Sequence, residues 1–519
     1  MGSSADRAWV NGRVFTGSGF AEGFLVEGAQ IRLVGPDDAV RRAKGTGTEV
    51  SDLRGRLVIP GLVDLHMHLT DTVLQQEGVD LRGTRSREEL ADRVRGHLTP
   101  DSSTPLIGVG WDSSLWPDRR EPSRTELDRI TTDQPLILFQ ISMHAAALNS
   151  RALEECGIVE GMTDPPGGRF GRDSGGRLNG LLYDTALAPL GDSPAGRAWP
   201  LRNPSAYRRV LERAGALGLT TLCPVLATPE EISAIDALSP DFHPVRLRFY
   251  LSLRELGRVG SLPAPRADSA WRLSGVKAIT DGAFGTRTAW LDAPYSDTPD
   301  TAGYPIWDDA ELEQALRAAK DLNLPPALHA IGDRALGRAL GVLARAGTAG
   351  TPRIEHASLT PPALWPALEK IRPNLVVQPH FVETDRWVME RLGPERARWV
   401  YAFRTLSDNG FALGGSSDSP VEPLDPWTGL RAAVSRAPRS GFGRFTASER
   451  LAPIEAFQLY TRNAGPILGE PALGRLGPGS RADFVVTFAT SLDGALASER
   501  PPVAETWMDG HRTFPASVP

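Results

Sequence analysis

The sequence predicts an α/β protein. We expect a closed (β/α)8 barrel, a small β domain built from both termini, and a subdomain inserted after the first barrel strand. Three observations carry this prediction. The middle of the chain alternates short apolar runs with amphipathic helical stretches, the rhythm of βαβ units. Both ends instead read as short strands separated by glycine turns, and residues 70–205 are rich in Pro, Gly and Trp and fit neither pattern.

These patterns set the expected boundaries. The β domain would comprise residues 1–58 and 473–519, and the barrel residues 59–472. Residues 70–205 would form the insert over the barrel mouth, since long loops of barrel enzymes gather there.

Charge and composition exclude several classes of protein. The 519 residues carry 57 Lys and Arg against 63 Asp and Glu, a net charge of −6, which is no electrostatic footprint for nucleic acid. No apolar run approaches the roughly 18 residues of a membrane span, and the N-terminus lacks the apolar core of a secretory signal. Cys156 and Cys223 cannot build a disulfide framework. We therefore expect a soluble cytoplasmic protein. We also expect a small-molecule substrate and a homo-oligomer, a dimer.

Turn residues predict the strands at the two ends. Residues 8–17 contain Asn11-Gly12, a strong hairpin signal, and residues 24–35 repeat the form around Glu27-Gly28. Near the other end, residues 482–489 read as a strand and residues 504–514 as strand, turn and strand. Because chain termini often lie close together, we expect the two ends to form one domain.

Eight strands are predicted in the middle of the chain. They lie at 56–68, 218–226, 245–253, 274–282, 325–333, 351–358, 374–381 and 411–420. Between two of them, residues 308–322 place Leu312, Leu316 and Ala319 on one helix face, with Asp308 as the cap and Glu311 as its capping-box partner. Eight such units favour a closed barrel over an open sheet.

Histidines end several of these strands, at the face where barrel enzymes place their active sites. His66 and His68 are two residues apart on strand 1, so their rings point to one side and can hold one metal ion. A polar surface pair is the alternative. His329 ends strand 5 and His356 ends strand 6, and neutral imidazole is a favoured zinc ligand. The alternative for each is a hydrogen-bonded core histidine.

Two charged residues end other strands. Asp418 lies at the end of strand 8, where a carboxylate beside a metal-activated water can act as the general base. Capping the next helix or bracing the turn before Pro420 is the alternative. Lys277 lies on strand 4, where it is either a solvated or salt-bridged charge, with Asp281 as the nearest partner, or a carboxylated bridge between two metal ions.

Blocks of sequence around these residues resemble the amidohydrolase superfamily, specifically amidohydrolase family 3, the group similar to N-substituted formamide deformylase. The resemblance covers nearly the whole chain and its blocks occur in the family's order. They read PGLVDLHMHL, GWDSSLW, HAAALNSRAL, KAITDGAFGTRTA, LHAIGDRA, RIEHASL and GSSDSPVEPLDP, followed by LGRLGPGSRADFVV near the C-terminus.

The resemblance implies a (β/α)8 barrel with a β-sandwich from both termini and a divalent metal site, usually one or two zinc ions. It implies hydrolysis of an amide or related C–N bond. The implied ligands are His66, His68 and Asp418 for one ion, His329 and His356 for a second, and Lys277, if carboxylated, as the bridge. Cys223, at the end of strand 2, is a second-choice bridging ligand, and a buried apolar thiol is its alternative.

The expected mechanism is attack by a metal-activated water on a carbonyl carbon. Asp418 would take the proton and deliver it to the leaving nitrogen. His144 in the insert and His380 after strand 7 are candidates to stabilise the oxyanion, and either could instead be structural. Two other functions stay open: a deaminase, disfavoured because no Glu lies within one turn after His329, and a barrel that serves only as a scaffold.

The substrate is not readable from the sequence. Trp111 and Trp116 in the insert, with Phe284 and Trp290 after strand 4, are candidates for an apolar pocket wall, or the tryptophans form the insert's own core. Arg287 could bind a substrate carboxylate or pair with a local Asp.

Overall fold

Eight parallel strands form the central sheet of the computed structural model, which describes residues 6–99, 105–192, 201, 203–238, 244–264, 270–436 and 441–515. In sheet order, which is also chain order, barrel strands 1 to 8 are Leu62–Met67, Leu219–Ala227, Arg246–Ser252, Trp271–Ile279, Pro326–Ala330, Arg353–His356, Asn374–Val377 and Leu413–Gly415. Beyond the end of strand 8, the Asp418 N–H donates to the His66 carbonyl over 2.8 Å, which ties the last strand to the first. The predicted (β/α)8 barrel is confirmed.

Helices cover the outside of the barrel. They include Leu69–Glu77, Pro204–Ala216, Pro229–Asp236, Asp309–Asp321, Asp333–Ala346, Trp365–Ile371, Val388–Ala397, Phe403–Asp408, Pro426–Ser435 and Pro453–Leu459. The helix Asp309–Asp321 begins after Asp308, whose carboxylate accepts from the Ala310 and Glu311 N–H groups, as the sequence predicts. Leu312 and Leu316 on this helix are buried against the barrel, so the apolar face forms the outer layer of the core.

The predicted first strand, 56–68, is two strands in two sheets. Leu57–Pro60 joins the sheet made by the chain ends, and Leu62–Met67 starts the barrel. Gly61 between them lies so close to Thr220 that a Cβ would be 2.3 Å from that side chain. A glycine is therefore needed where one apolar run passes from one sheet to the other.

The chain ends form two further sheets. One contains Gln30–Gly35, Gly23–Glu27, Arg7–Val10 and Glu49–Asp52, and the other His511–Phe514, Val503–Met508, Phe484–Thr487, Leu57–Pro60, Arg13–Phe15 and Phe20–Ala21. Antiparallel pairing of Phe484–Thr487 with Leu57–Pro60 joins the two ends. Aromatic side chains fill the core between the strands, with Trp9 stacked on Phe24 at 4.8 Å between ring centroids. The exact domain boundaries stay a prediction.

The Asn11-Gly12 turn is not the expected hairpin. Arg7–Val10 and Arg13–Phe15, on either side of it, lie in different sheets, because each pairs with strands from elsewhere in the chain. The other two turns do connect antiparallel neighbours: Gly23–Glu27 pairs with Gln30–Gly35, and Val503–Met508 with His511–Phe514.

The insert has a six-stranded sheet of its own. Its order is Gly168–Arg172, Leu178–Asp184, Ala145–Leu148, Leu136–Gln140, Leu106–Trp111 and Val79–Asp80. Trp111 and Trp116 are buried in the core of this sheet, and their indole N–H groups donate to the Leu138 and Thr84 carbonyls over 2.9 Å. These two tryptophans therefore belong to the insert's own core and not to a pocket wall. Across the described residues, no helix combines the length and apolar character that crossing a bilayer requires.

Candidate metal centre

Three predicted ligands converge where barrel strand 1 meets the loop after strand 8. His66 Nε2 and His68 Nε2 each lie 3.1 Å from Asp418 Oδ1. Among the described residues, these three form the one cluster of His, Cys, Asp or Glu whose ligand atoms lie within 4.8 Å of one another. Asp418 adopts a φ of +59°, an uncommon conformation for an aspartate, so local backbone strain accompanies the placement of its carboxylate.

The chemistry of these atoms fits a divalent cation. His66 Nε2 and Asp418 Oδ1 are buried and have no hydrogen-bond partner, although they face each other. On the other side of the ring, His66 Nδ1 lies 2.6 Å from Glu355 Oε2, and because a carboxylate only accepts, Nδ1 carries the proton. In its neutral form the ring therefore presents the Nε2 lone pair towards Asp418. Leaving such buried atoms unpaired is costly, and a shared cation would remove that cost.

Charge also favours the anionic form of Asp418. Burial alone would raise the pKa of this carboxyl, but His66 and His68 hold it well below its usual range. An ionised carboxylate beside two imidazoles is a donor set that binds zinc.

His329 and His356 lie beside this cluster. The His329 and His356 ring centroids are 4.4 Å apart, and the His356 ring is 5.0 Å from that of His66. His356 Nδ1 donates to the Gln378 amide oxygen over 2.8 Å, which leaves Nε2 free for a ligand. His329 Nε2 lies 3.1 Å from the Gly282 carbonyl, which leaves Nδ1. Burial lowers the pKa of both imidazoles, so both are neutral, as metal binding requires.

Lys277 is buried within the same ring of residues. Burial lowers the pKa of its amine to about 8, although the Glu355 and Asp418 charges oppose that shift. Asp281, the expected partner of an unmodified Lys277, instead accepts from three backbone N–H groups of the loops after strands 4 and 5, at 2.9–3.1 Å.

Cys223 is fully buried among apolar side chains, and burial raises the pKa of its thiol to about 12, the behaviour of an inert core thiol.

The insert brings His144 to the same place. Its ring centroid is 5.4 Å from that of His329. His144 Nδ1 lies 2.7 Å from Asp184 Oδ1, and the Tyr304 hydroxyl donates to the other oxygen of Asp184. Asp184 also has a strained backbone, with a φ of +50°. A histidine of the insert is thus tied to a barrel loop through one shared carboxylate.

His380, the other candidate to stabilise the oxyanion, has different hydrogen-bond partners from His144. His380 Nδ1 is 2.5 Å from Glu422 Oε2, and the Thr384 hydroxyl donates to the same carboxylate. Phe381, the next residue, lies parallel to the His356 ring at 6.3 Å. His380 is therefore at the same rim, whereas His144 has its ring directly against a member of the histidine cluster.

The three remaining candidates for substrate binding, Arg287, Phe284 and Trp290, contact other protein residues. Arg287 donates to Asp297 over 2.6 Å, which supports the local ion pair and not a free carboxylate receptor. Phe284 is buried in the main core. Trp290 is half-buried, with the Arg334 guanidinium 4.7 Å from its ring centroid.

Sequence reasoning missed the carboxylates and amides that hold the histidines. Glu355 is the most deeply placed of them: burial would raise its pKa, but Arg353 and His66 lower that pKa to about 2. Gln378 and Asp184 play the corresponding part for His356 and His144. The available signal was the pair of charged residues, Arg353 and Glu355, directly before the candidate ligand His356 in RIEH.

The match with known sequences agrees with this geometry. Residues 49–514 match the amidohydrolase family. The chain belongs to this family. YtcJ of Bacillus subtilis (strain 168), named as an amidohydrolase, is 30% identical over 499 residues, which span 90% of this chain and 93% of YtcJ. The N-substituted formamide deformylase of Arthrobacter pascens is 25% identical over 514 residues, 94% of each chain.

The chain is also similar to a solved structure. The crystal structure of a metal-dependent hydrolase from Pyrococcus horikoshii OT3 superposes with a TM-score of 0.79 at 29% identity. The alignment covers 98% of this chain and 100% of that one. The protein described here is thus a metal-dependent hydrolase of the amidohydrolase superfamily, with a His-His-Asp cluster suited to the metal.

Proposed function

We propose that this amidohydrolase cleaves a non-peptide, amide-type C–N bond of a small molecule, with one or two zinc ions at the candidate metal centre. The observation that carries the proposal is the convergence of His66 Nε2, His68 Nε2 and Asp418 Oδ1, two of them buried without a hydrogen-bond partner. A zinc ion bound there would supply Lewis acidity, making a water more acidic and a carbonyl carbon more electrophilic.

The ligands divide into two groups in this proposal. His66, His68 and Asp418 would hold one ion, and His329 and His356 would hold a second. Lys277, if carboxylated, would supply a further anionic ligand between the two groups. Its burial beside the Asp418 charge supports this role, as does the use of Asp281 by backbone N–H groups. Carboxylation joins CO₂ to the neutral amine, forms an N–C bond and releases one proton.

Asp418 acts as the general base. A bound cation would hold its carboxylate ionised, so it can accept a proton from the attacking water. The same group then gives that proton to the leaving nitrogen, which must depart as a neutral amine.

His144 binds the carbonyl oxygen as negative charge develops on it. Asp184 fixes the ring by accepting from Nδ1, and although burial disfavours the charged form, this carboxylate raises the pKa of His144. The imidazolium then has an Nε2–H left to donate to the carbonyl oxygen. In this proposal His380, whose Nδ1 contacts Glu422, is a second candidate at the same rim to stabilise the oxyanion. The insert covers the barrel mouth in this proposal, and the contact of His144 with His329 supports that position.

Amine release tests the reaction class. The zinc-loaded protein would be offered N-formyl amines, N-acyl amines and cyclic amides, and the 25% identity with an N-substituted formamide deformylase puts N-formyl amines first. We expect free amine from at least one class, and none from the His66→Ala/His68→Ala variant. Ammonia from amino-substituted heterocycles without any amide cleavage would favour a deaminase instead.

We also propose a cytoplasmic homodimer. Light scattering should give twice the 55.9 kDa mass of the chain. A mass of one chain across the concentration range would contradict it.

A further inference from the structure

We propose that the first metal ion to bind occupies the His66–His68–Asp418 site, and that Glu355 is a positioning residue that sets its affinity. The inference rests on the metal centre of the proposed function. Its readout is metal binding, so an error in the proposed substrate class leaves it testable.

The Glu355–His66 contact is short and fully enclosed. Glu355 Oε2 lies 2.6 Å from His66 Nδ1, and both side chains have 0% exposure. The other oxygen of Glu355 accepts from Arg353 Nε over 2.8 Å. Arg353 also donates to the Leu65 carbonyl, one residue before His66. A chain of charge-assisted contacts therefore runs from the barrel interior to the first ligand.

The backbone of strand 6 makes this arrangement possible. Arg353 and Glu355 are two apart on the strand and share its inner face. His356 would ordinarily point the other way, but its φ is +70°, so its ring also reaches the centre and lies 5.0 Å from that of His66. The strained backbone at His356 thus lets two consecutive residues serve the site: His356 as a candidate ligand, and Glu355 as the hydrogen-bond partner of the ligand His66.

The second pair of histidines has weaker support. His356 donates to a neutral amide, Gln378, over 2.8 Å. His329 Nε2 faces the Gly282 carbonyl at 3.1 Å and Asp281 Oδ1 at 3.3 Å, but that carboxylate also accepts from three backbone N–H groups. This pair offers two imidazoles, whereas the strand 1 site offers two imidazoles and a carboxylate.

An anionic acceptor behind an imidazole makes the ring a stronger ligand and fixes its orientation. Removing such a partner typically weakens metal binding about 10–100-fold. The strand 1 site has both the larger ligand set and the charged support, so it should fill first.

Zinc competition against a chromophoric chelator measures this directly on the full-length, metal-free protein. We expect Glu355→Gln to weaken binding of the first Zn²⁺ about 10–100-fold. Gln378→Ala is the matched control, because it removes the corresponding partner of His356, and it should leave the first dissociation constant unchanged. His68→Ala should abolish tight binding, and His329→Ala should not.

Folding is measured in parallel by thermal melting without metal. If Glu355→Gln does not fold, because it leaves Arg353 buried beside a neutral partner, the Arg353→Met/Glu355→Gln variant removes both charges and tests the same contact. First-ion affinity equal to that of the unmodified protein in a folded Glu355 variant would overturn the proposal. So would an equal loss in Gln378→Ala, or first binding that depends on His329.

Discussion

The barrel and the insert both supply histidines to the candidate metal centre, but they hold them differently. His66 lies on a strand that pairs with a parallel neighbour, and His68 follows directly, before the next helix begins. Backbone hydrogen bonds fix the loop carrying Asp418 to both histidines. His144 instead depends on Asp184 in its own sheet and on the Tyr304 hydroxyl from a barrel loop. Under the proposed roles, the barrel binds the metal and the insert binds the reacting carbonyl, so variants on the two sides should separate these two functions.

The largest effect is expected from removing the strand 1 histidines. His66→Ala/His68→Ala should lose bound zinc and all activity, because two of the three converging ligand atoms disappear. The barrel should stay folded, since the site lies above its apolar core. Elemental analysis and circular dichroism check both parts. A variant that keeps its full zinc content would remove these residues from the ligand set.

Asp418→Asn should lower kcat about 10²–10⁴-fold, the usual contribution of general acid–base catalysis. The amide keeps the shape and removes the base. Zinc content should fall less than in the histidine double variant, because a carboxamide oxygen still ligates weakly. Turnover close to that of the unmodified enzyme, with zinc bound, would show that another group is the base.

On the insert side, His144→Ala should lower kcat about 10²–10³-fold, the range for losing one oxyanion donor. Zinc content should not change, which is the contrast with the barrel variants. His380→Ala serves as the comparison at the same rim. An equal loss of zinc in His144→Ala would mean that the two regions are not separable.

Smaller effects are expected from the groups that orient His144, beginning with Asp184→Asn. A hydrogen bond to a charged group contributes about 1.5–3 kcal/mol, and Asn can still accept from His144, so a loss of about tenfold in kcat is expected, since about 1.4 kcal/mol corresponds to a factor of ten. Tyr304→Phe removes one further contact of the same carboxylate and should cost less. Full activity in Asp184→Asn would mean that His144 needs no orientation by a charge.

Local pattern was enough to predict much of the fold. Each of the eight predicted barrel strands has its counterpart, and Asp308 caps the helix that it was expected to cap. Apolar runs, helical periodicity and capping residues are short-range signals, so strands and helices can be predicted from them without knowledge of tertiary contacts. The Asn11-Gly12 turn shows the limit: a turn signal indicates where the chain bends, and strand partners are chosen by the rest of the molecule.

The sequence alone determined which residue types stand at the ends of the strands. The spacing of His66 and His68 predicted that both serve one site, although His68 lies directly after the observed strand. The order of the family's blocks identified the remaining candidates. Only the tertiary structure decided what holds them. Glu355 meets His66 across 289 residues of chain, and Asp64 accepts from Ser417 across 353. Such contacts depend on the register in which the barrel closes, a property of all eight strands together that no local pattern encodes.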